Sequence, residues 1–232
     1  LDCECSIHLQ HCRVALQVAV KAVGLNFRDV LNVLGMYPGD PGAPGADCAG
    51  VVMQAGNGVT HVHQGKWLDR TCLLTSPAHD ICIPTKVTLT SPMLTAGDHV
   101  FGLAPGCLGH TVHVPAGMLA LKPQNLSFEA AATAPTVYIT VLTAFDYGQG
   151  MGAGTRILIH AGTGGVGLAA FSVASSLACT VAVTAGSADK RNYLRCLGQR
   201  VAVDSRSTTF TDPLLACLGP FDVALNSLTS PG

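Results

Sequence analysis

The residues with the clearest capacity for chemistry are His160-Ala161-Gly162-Thr163-Gly164-Gly165-Val166-Gly167. Glycine at 162, 164, 165 and 167 strips side chains from a turn, so backbone N–H groups can approach a pyrophosphate, with Thr163 and Val166 set between them. A plain strand-to-helix turn also uses glycine, so the flanking residues decide. Residues 156–160 read as a strand and 164–177 as a helix, whose N-terminus would add positive potential to the cradle. That context favours dinucleotide binding. The next strand, 180–184, ends in Ala185-Gly186-Ser187 and offers no carboxylate for a ribose 2′-hydroxyl. Ser187, Lys190 and Arg191 suit a 2′-phosphate instead, which selects NADPH over NADH. Asp189 speaks against this, but it lies past the strand end, where it can cap a helix. The plain alternative for Lys190 and Arg191 is a solvated helix face.

These residues need a sheet to hold them, and the second half of the chain supplies the pattern. Strand and helix alternate over 156–160, 164–177, 180–184, 188–197, 201–203 and 221–225, which implies a parallel sheet with helices on its faces. Ahead of it, Ser127 can cap a helix with Glu129 in its first turn; Pro135 interrupts that helix, which resumes to about Tyr147. The first half reads as β: a strand over 14–23, another over 48–56 ending at Gly56-Asn57-Gly58, and a turn at Gly97-Asp98 entering a third. Between them, 26–34 can form a short helix capped by Asn26, with Asp29 in its first turn, followed by turn material over 35–42. Short strands with such turns suggest a small barrel. Residues 65–96 keep neither period and read as an insertion.

The chain has 232 residues, 48% hydrophobic and 12% charged, enough for one large domain or two small ones. A formal net charge of -1 gives no broad attraction to nucleic acid or acidic lipid. Mean hydropathy is +0.40, yet the longest apolar runs, near 157–159 and 181–183, are short and broken by Gly and Thr. Neither approaches the roughly 20 residues of a spanning helix, so no membrane partner is expected. Leu1-Asp2-Cys3-Glu4-Cys5 shows no signal peptide, so the expected location is cytoplasmic, and a first residue other than Met suggests a piece of something longer. The 10 cysteines contain no C-x-x-C pair and read as reduced, buried, small apolar residues. His61-x-His63 and His110-x-x-His113 lack a third ligand by spacing, so no metal is expected.

The segments Val20-Lys21-Ala22-Val23-Gly24-Leu25-Asn26-Phe27-Arg28-Asp29-Val30-Leu31, Leu34-Gly35-Met36-Tyr37-Pro38-Gly39, Phe101-Gly102-Leu103-Ala104-Pro105-Gly106, Leu158-Ile159-His160-Ala161, residues 184–194 and Leu225-Asn226-Ser227-Leu228 carry a resemblance. Through them the chain resembles the enoyl reductase regions of modular polyketide synthases, in the zinc-free branch of the medium-chain dehydrogenase/reductase superfamily. Fatty-acid synthase reductase regions and quinone oxidoreductases share some of these residues. The resemblance covers most of 12–64 and 97–230. It implies an α/β fold: a GroES-like split β-barrel over 1–126, with the insertion at 65–96, then an incomplete Rossmann-type parallel sheet over 127–232. It implies NADPH-dependent hydride transfer to the β-carbon of a 2-enoyl thioester and protonation at the α-carbon. The substrate would ride on an acyl-carrier protein among neighbouring synthase domains. Tyr37, in the Gly35–Gly39 turn, corresponds to a proposed proton donor of the family; the alternative is a turn tyrosine with its hydroxyl in water. Asn26, Arg28 and Asp29 fall on the substrate side and Asn226 on the cofactor side. The zinc branch's Gly-His-Glu segment would fall at Gly45-Ala46-Asp47, which has no His. A Lys and an Asp proposed for the same protonation lie further downstream in the family than Gly232, as do its last strands, so the chain reads as truncated and inactive alone. Residues 65–96 read as a surface loop or an intron translated in frame. The alternatives are a free-standing NADPH quinone or alkenal reductase, and a non-catalytic fragment of a larger synthase.

Overall fold

The computed structural model describes residues 15–56, 93–147, 151–207 and 209–227. The expected insertion, as far as residue 92, lies outside them, as do residue 14, the turn beyond Gly56, and His61 and His63. The described residues fall into two compact units that part between Thr136 and Val137.

In the first unit, β1 (Ala15–Gly24), β2 (Asp47–Ala55), β3 (His99–Leu103), β4 (Thr111–Pro115) and β5 (Leu119–Leu121) form one antiparallel sheet in the order β4-β1-β2-β3-β5. Alternation places Leu16 and Val18 of β1, Val112 and Val114 of β4, and Val100 of β3 in one apolar cluster. Helix α1 (Phe27–Val33) follows β1 directly, with Asn26 at its N-cap position. Helix α2 (Phe128–Ala132) packs on β1 and β2. Gly24 permits that contact, because a Cβ there would collide with the carbonyl of Ala132. This is why the first unit runs past residue 127, where the sequence divides the chain: α2 reads as the start of the second half but lies on the first sheet.

The second unit holds β6 (Arg156–Ile159), β7 (Thr180–Ala185), β8 (Val201–Asp204) and β9 (Val223–Leu225), all parallel, in the order β8-β7-β6-β9. Side chains alternate between two faces. Ile157 and Ile159 join a cluster with α3 (Pro135–Tyr147), α4 (Gly165–Ser176) and α5 (Ala188–Cys196), through Val141, Val173 and Leu194. Leu158 and Ala182 face the other way, onto Leu214 of α6 (Thr211–Leu218). Helices therefore cover both faces of a strand set that is mostly apolar. Strand β9 is shorter than the expected 221–225: at Asp222 the backbone N–H still donates to the Arg156 carbonyl at 2.9 Å, but the Arg156 N–H goes to the Asp222 carboxylate at 2.8 Å instead of to a carbonyl.

Among the described cysteines none is bonded to another; Cys48 and Cys107 are buried, as expected. Cys196 and Cys217 are exposed, which corrects the uniform reading of buried thiols: both lie at helix ends, on turns that face away from the sheet. Among the described residues no helix is long and apolar enough to cross a membrane.

Candidate functional site

The glycine turn sits at the C-terminal edge of the parallel sheet, where β6 passes into α4. His160 N–H donates to the Leu225 carbonyl at 3.0 Å, and Gly162 N–H to the Thr184 carbonyl at 2.9 Å, so the turn is tied to the strands on both sides. A Cβ on Gly162 would run into Val183, and one on Gly167 would reach the Ala161 carbonyl and, at 2.7 Å, Gly162 Cα. These two glycines are required for close approach of helix and strand. Gly164 and Gly165, in contrast, are exposed at the start of α4, with Thr163 and Val166 half-buried beside them. Ala161 takes a left-handed φ of 51°, which costs a non-glycine residue strain and sharpens the turn. His160 Nδ1 lies 3.3 Å from Thr184 Oγ1 and its ring meets Phe210 edge-on; burial holds its pKa below the ordinary value. Asn226 follows β9 at the same edge and is exposed.

At the end of β7, Ser187 caps α5, its Oγ accepting the Lys190 N–H at 3.3 Å. The Lys190 side chain is exposed. Arg191 is engaged otherwise: its Nη1 donates to the Ala185 carbonyl at 2.9 Å and pairs with Asp204 Oδ2 at 3.1 Å. A cation that sequence reasoning passed over also lies at this strand end. A Cβ at Gly186 would stand 3.3 Å from Arg206 Nε. The signal available in the sequence was a cation shortly after the third strand, but its position depends on Ala185 pairing with Asp204 across β7 and β8.

In the first unit the four expected residues gather around α1. Asp29, 7% exposed, accepts the Asn26 N–H on Oδ2 at 2.8 Å and the Gly45 N–H on Oδ1 at 2.9 Å. Oδ2 thus closes the N-terminus of α1, while Oδ1 holds α1 to Gly45. Arg28 Nη2 donates to the Pro41 carbonyl at 2.7 Å, and its guanidinium carbon lies 5.2 Å from the centroid of the half-buried Tyr37 ring. Arg28 therefore clamps the turn that bears Tyr37 from both ends. The Asn26 side-chain amide donates to Asp47 Oδ2 at 3.1 Å. Asp47, 1% exposed, also receives the Thr136 hydroxyl at 2.6 Å and the Thr136 N–H at 3.1 Å. Burial, the largest influence, raises its pKa despite these donors. Asp47, the last residue of Gly45-Ala46-Asp47, is thus committed to Asn26 and to the start of α3. Among the described residues no group of His, Cys, Asp and Glu could hold a metal ion.

Residues 14–124 match the alcohol dehydrogenase GroES-like domain. The chain is 37% identical over 216 residues to the spectinabilin polyketide synthase system protein NorB of Streptomyces orinoci, covering 92% of this chain and 8% of that protein. It is 34% identical over 218 residues to a phenolphthiocerol/phthiocerol polyketide synthase of Mycobacterium tuberculosis, covering 92% of this chain and 8% of that one. It spans, then, less than a tenth of the length of these relatives. Among solved structures it is similar to the CurK enoyl reductase, with a TM-score of 0.72 and 28% identity over 94% of this chain and 60% of that one. The Escherichia coli quinone oxidoreductase complexed with NADPH gives a TM-score of 0.66 at 26% identity, covering 89% of this chain and 55% of that one.

Proposed function

Because the chain belongs to the medium-chain dehydrogenase/reductase superfamily, with an alcohol dehydrogenase GroES-like domain over residues 14–124, we propose that it serves as the enoyl-reducing part of a polyketide synthase. In this reading it reduces a carrier-bound 2-enoyl thioester with NADPH, next to other synthase domains. The observation that carries the cofactor half is the glycine turn. Cβ atoms at Gly162 and Gly167 would collide, while the backbone at Gly164 and Gly165 stays exposed at the start of α4, at the edge where parallel sheets take dinucleotides.

When bound, the cofactor supplies a hydride. The residues of this chain do the rest. The glycine turn 162–167 would hold the pyrophosphate through the backbone N–H groups of the first turn of α4, from Gly165 onward, with the Thr163 hydroxyl beside them; the N–H groups of Gly162 and Gly164 are taken up by the turn itself. Ser187 and Lys190 face the 2′-phosphate, with Arg191 bracing the strand end behind them. Asn226, just past the C-terminal end of β9, would serve the nicotinamide side. Tyr37 donates a proton to the α-carbon as charge develops on the thioester oxygen. Arg28 holds the Tyr37 turn, while Asn26 and Asp29 fix α1 beneath it. Leu34 and Met36, 62% and 65% exposed beside that turn, offer apolar surface suited to an acyl chain.

The similarity to a quinone oxidoreductase favours a second reading, reduction of a free quinone. Rates of NADPH oxidation by the intact protein with crotonyl thioester and with a benzoquinone separate the two. The enoyl reading expects the thioester to give the higher kcat/KM; turnover of quinone alone overturns it.

A further inference from the structure

We propose that Cys48 and Cys107 form an oxidation site, a buried thiol pair that hydrogen peroxide closes to a disulfide. The inference is independent of the NADPH reading. Cys48 lies on β2 and Cys107 on the turn that follows β3. Both are 0% exposed and belong to the apolar cluster of the first sheet. The Cys107 thiol donates to the Asp47 carbonyl at 3.4 Å, and that carbonyl belongs to the peptide leading into Cys48. The two thiols also hydrogen-bond each other. That bond holds the Cys107 thiol below its ordinary range and, together with burial, pushes the Cys48 thiol up. Cys107 is therefore the nucleophile of the pair, and Cys48 keeps its proton.

Cys107 hooks a surface turn into the core. Pro105, Leu108 and Gly109 on that turn are exposed, while Gly106 N–H donates to the Gly45 carbonyl at 2.9 Å. Gly45 leaves room for the sulfur, since a Cβ there would stand 3.0 Å from Cys107 Sγ. A local opening of this turn admits a molecule the size of hydrogen peroxide but not a tripeptide disulfide. The Cys107 thiolate attacks one peroxide oxygen; the O–O bond breaks, leaving a sulfenic acid on Cys107 and a hydroxide that leaves as water. The Cys48 sulfur then attacks Cys107 Sγ. The S–S bond forms, the S–O bond breaks, and a second water departs with the Cys48 proton. The two thiols lose two electrons and the peroxide gains them. Closure withdraws the Cys107 thiol from the Asp47 carbonyl and fixes the turn beside Gly45, the residue to which Asp29 holds α1.

The test is tryptic mapping of the intact protein, without reductant, after hydrogen peroxide and, separately, after oxidised glutathione. Trypsin does not cut before Pro123, so residues 29–66 and 87–156 form peptides holding one cysteine each, Cys48 and Cys107. Peroxide is expected to join these two peptides, and dithiothreitol to separate them. Oxidised glutathione should label the exposed Cys196 and Cys217 and neither member of the pair. Dimedone, which traps sulfenic acid, should mark Cys107 and not Cys48 when added early. In Cys48→Ala the cross-link is lost and dimedone labelling of Cys107 persists; the wild-type map decides alone if that variant fails to fold. The proposal is overturned if peroxide oxidises Cys196 and Cys217 while Cys48 and Cys107 remain thiols. Separate sulfinic acids on the pair, or a cross-link from either to another cysteine in its place, overturn it equally.

Discussion

At the scale of single residues, the first unit divides its polar groups between bracing and chemistry. Asp29 and Asp47 are buried and spent on N–H and O–H donors, so neither is free to serve as an acid at the surface. Tyr37 keeps its ring under Arg28, and a phenol fixed on a turn can protonate one face of an enolate. Tyr37→Phe is therefore expected to preserve hydride transfer while altering the configuration of an α-methyl product or slowing protonation. Arg28→Ala should give mixed epimers, because the turn loses both the Pro41 bond and the cation over the ring. Chiral analysis of the product from an α-methyl enoyl thioester reads both; unchanged configuration and rate would leave Tyr37 as a turn residue only. Asp47 gives a pH prediction. Burial raises its pKa above the ordinary 3.8, so the fold favours the protonated form. Its contribution to stability is full below 3.8 and is lost as pH rises through the raised value. Asp47→Asn removes that dependence. The stability difference between wild type and variant, measured by denaturant titration, should shift against the wild type as pH rises through the acid range. A shift in its favour would contradict the assignment.

At the scale of elements, Ser127 accepts the Ala130 N–H at 3.1 Å and starts α2, so Ser127→Ala should cost about 1 kcal/mol, read as a lower denaturation midpoint at constant slope. Gly167→Ala should do more harm, since its Cβ meets backbone on the facing turn and no rotamer relieves it. Elements that announce themselves locally were legible in the sequence. The run of β-branched and small apolar residues in β1, the Asn26–Asp29 helix start, the Ser127 cap and the glycine turn each carry their own signal. Other elements were not. Strand β4 is the pattern Thr111-Val112-His113-Val114-Pro115, a short alternation that becomes a strand because β1 offers it an edge. Strand β5 has only Leu119–Leu121 to show, and α6 is held by Leu214 against Leu158 and Ala182, residues distant in the chain. The site followed the same division. The glycine turn between β6 and α4 could be read from adjacent residues. The Arg191–Asp204 pair and the place of Arg206 could not, because β7 and β8 must first lie side by side in register.

At the scale of the whole molecule, the chain holds an antiparallel unit bearing Tyr37 and Arg28 and a parallel unit bearing the glycine turn. Relatives that are polyketide synthases, and likeness to an enoyl reductase of known structure, support the proposed chemistry at a carbon–carbon double bond conjugated to a thioester. If that account is right, the electrons and the proton reach the product from different sources. The hydride comes from the cofactor to the β-carbon, and the proton comes from the protein, in exchange with water, to the α-carbon. The most direct measurement is mass spectrometry and NMR of the product formed by the intact protein from crotonyl thioester and NADPH deuterated at its reactive carbon. The account predicts one deuterium at the β-carbon of the saturated thioester and none at the α-carbon, which takes up label only in heavy water. A saturated product without deuterium at the β-carbon, or label from the cofactor at the α-carbon, would contradict it.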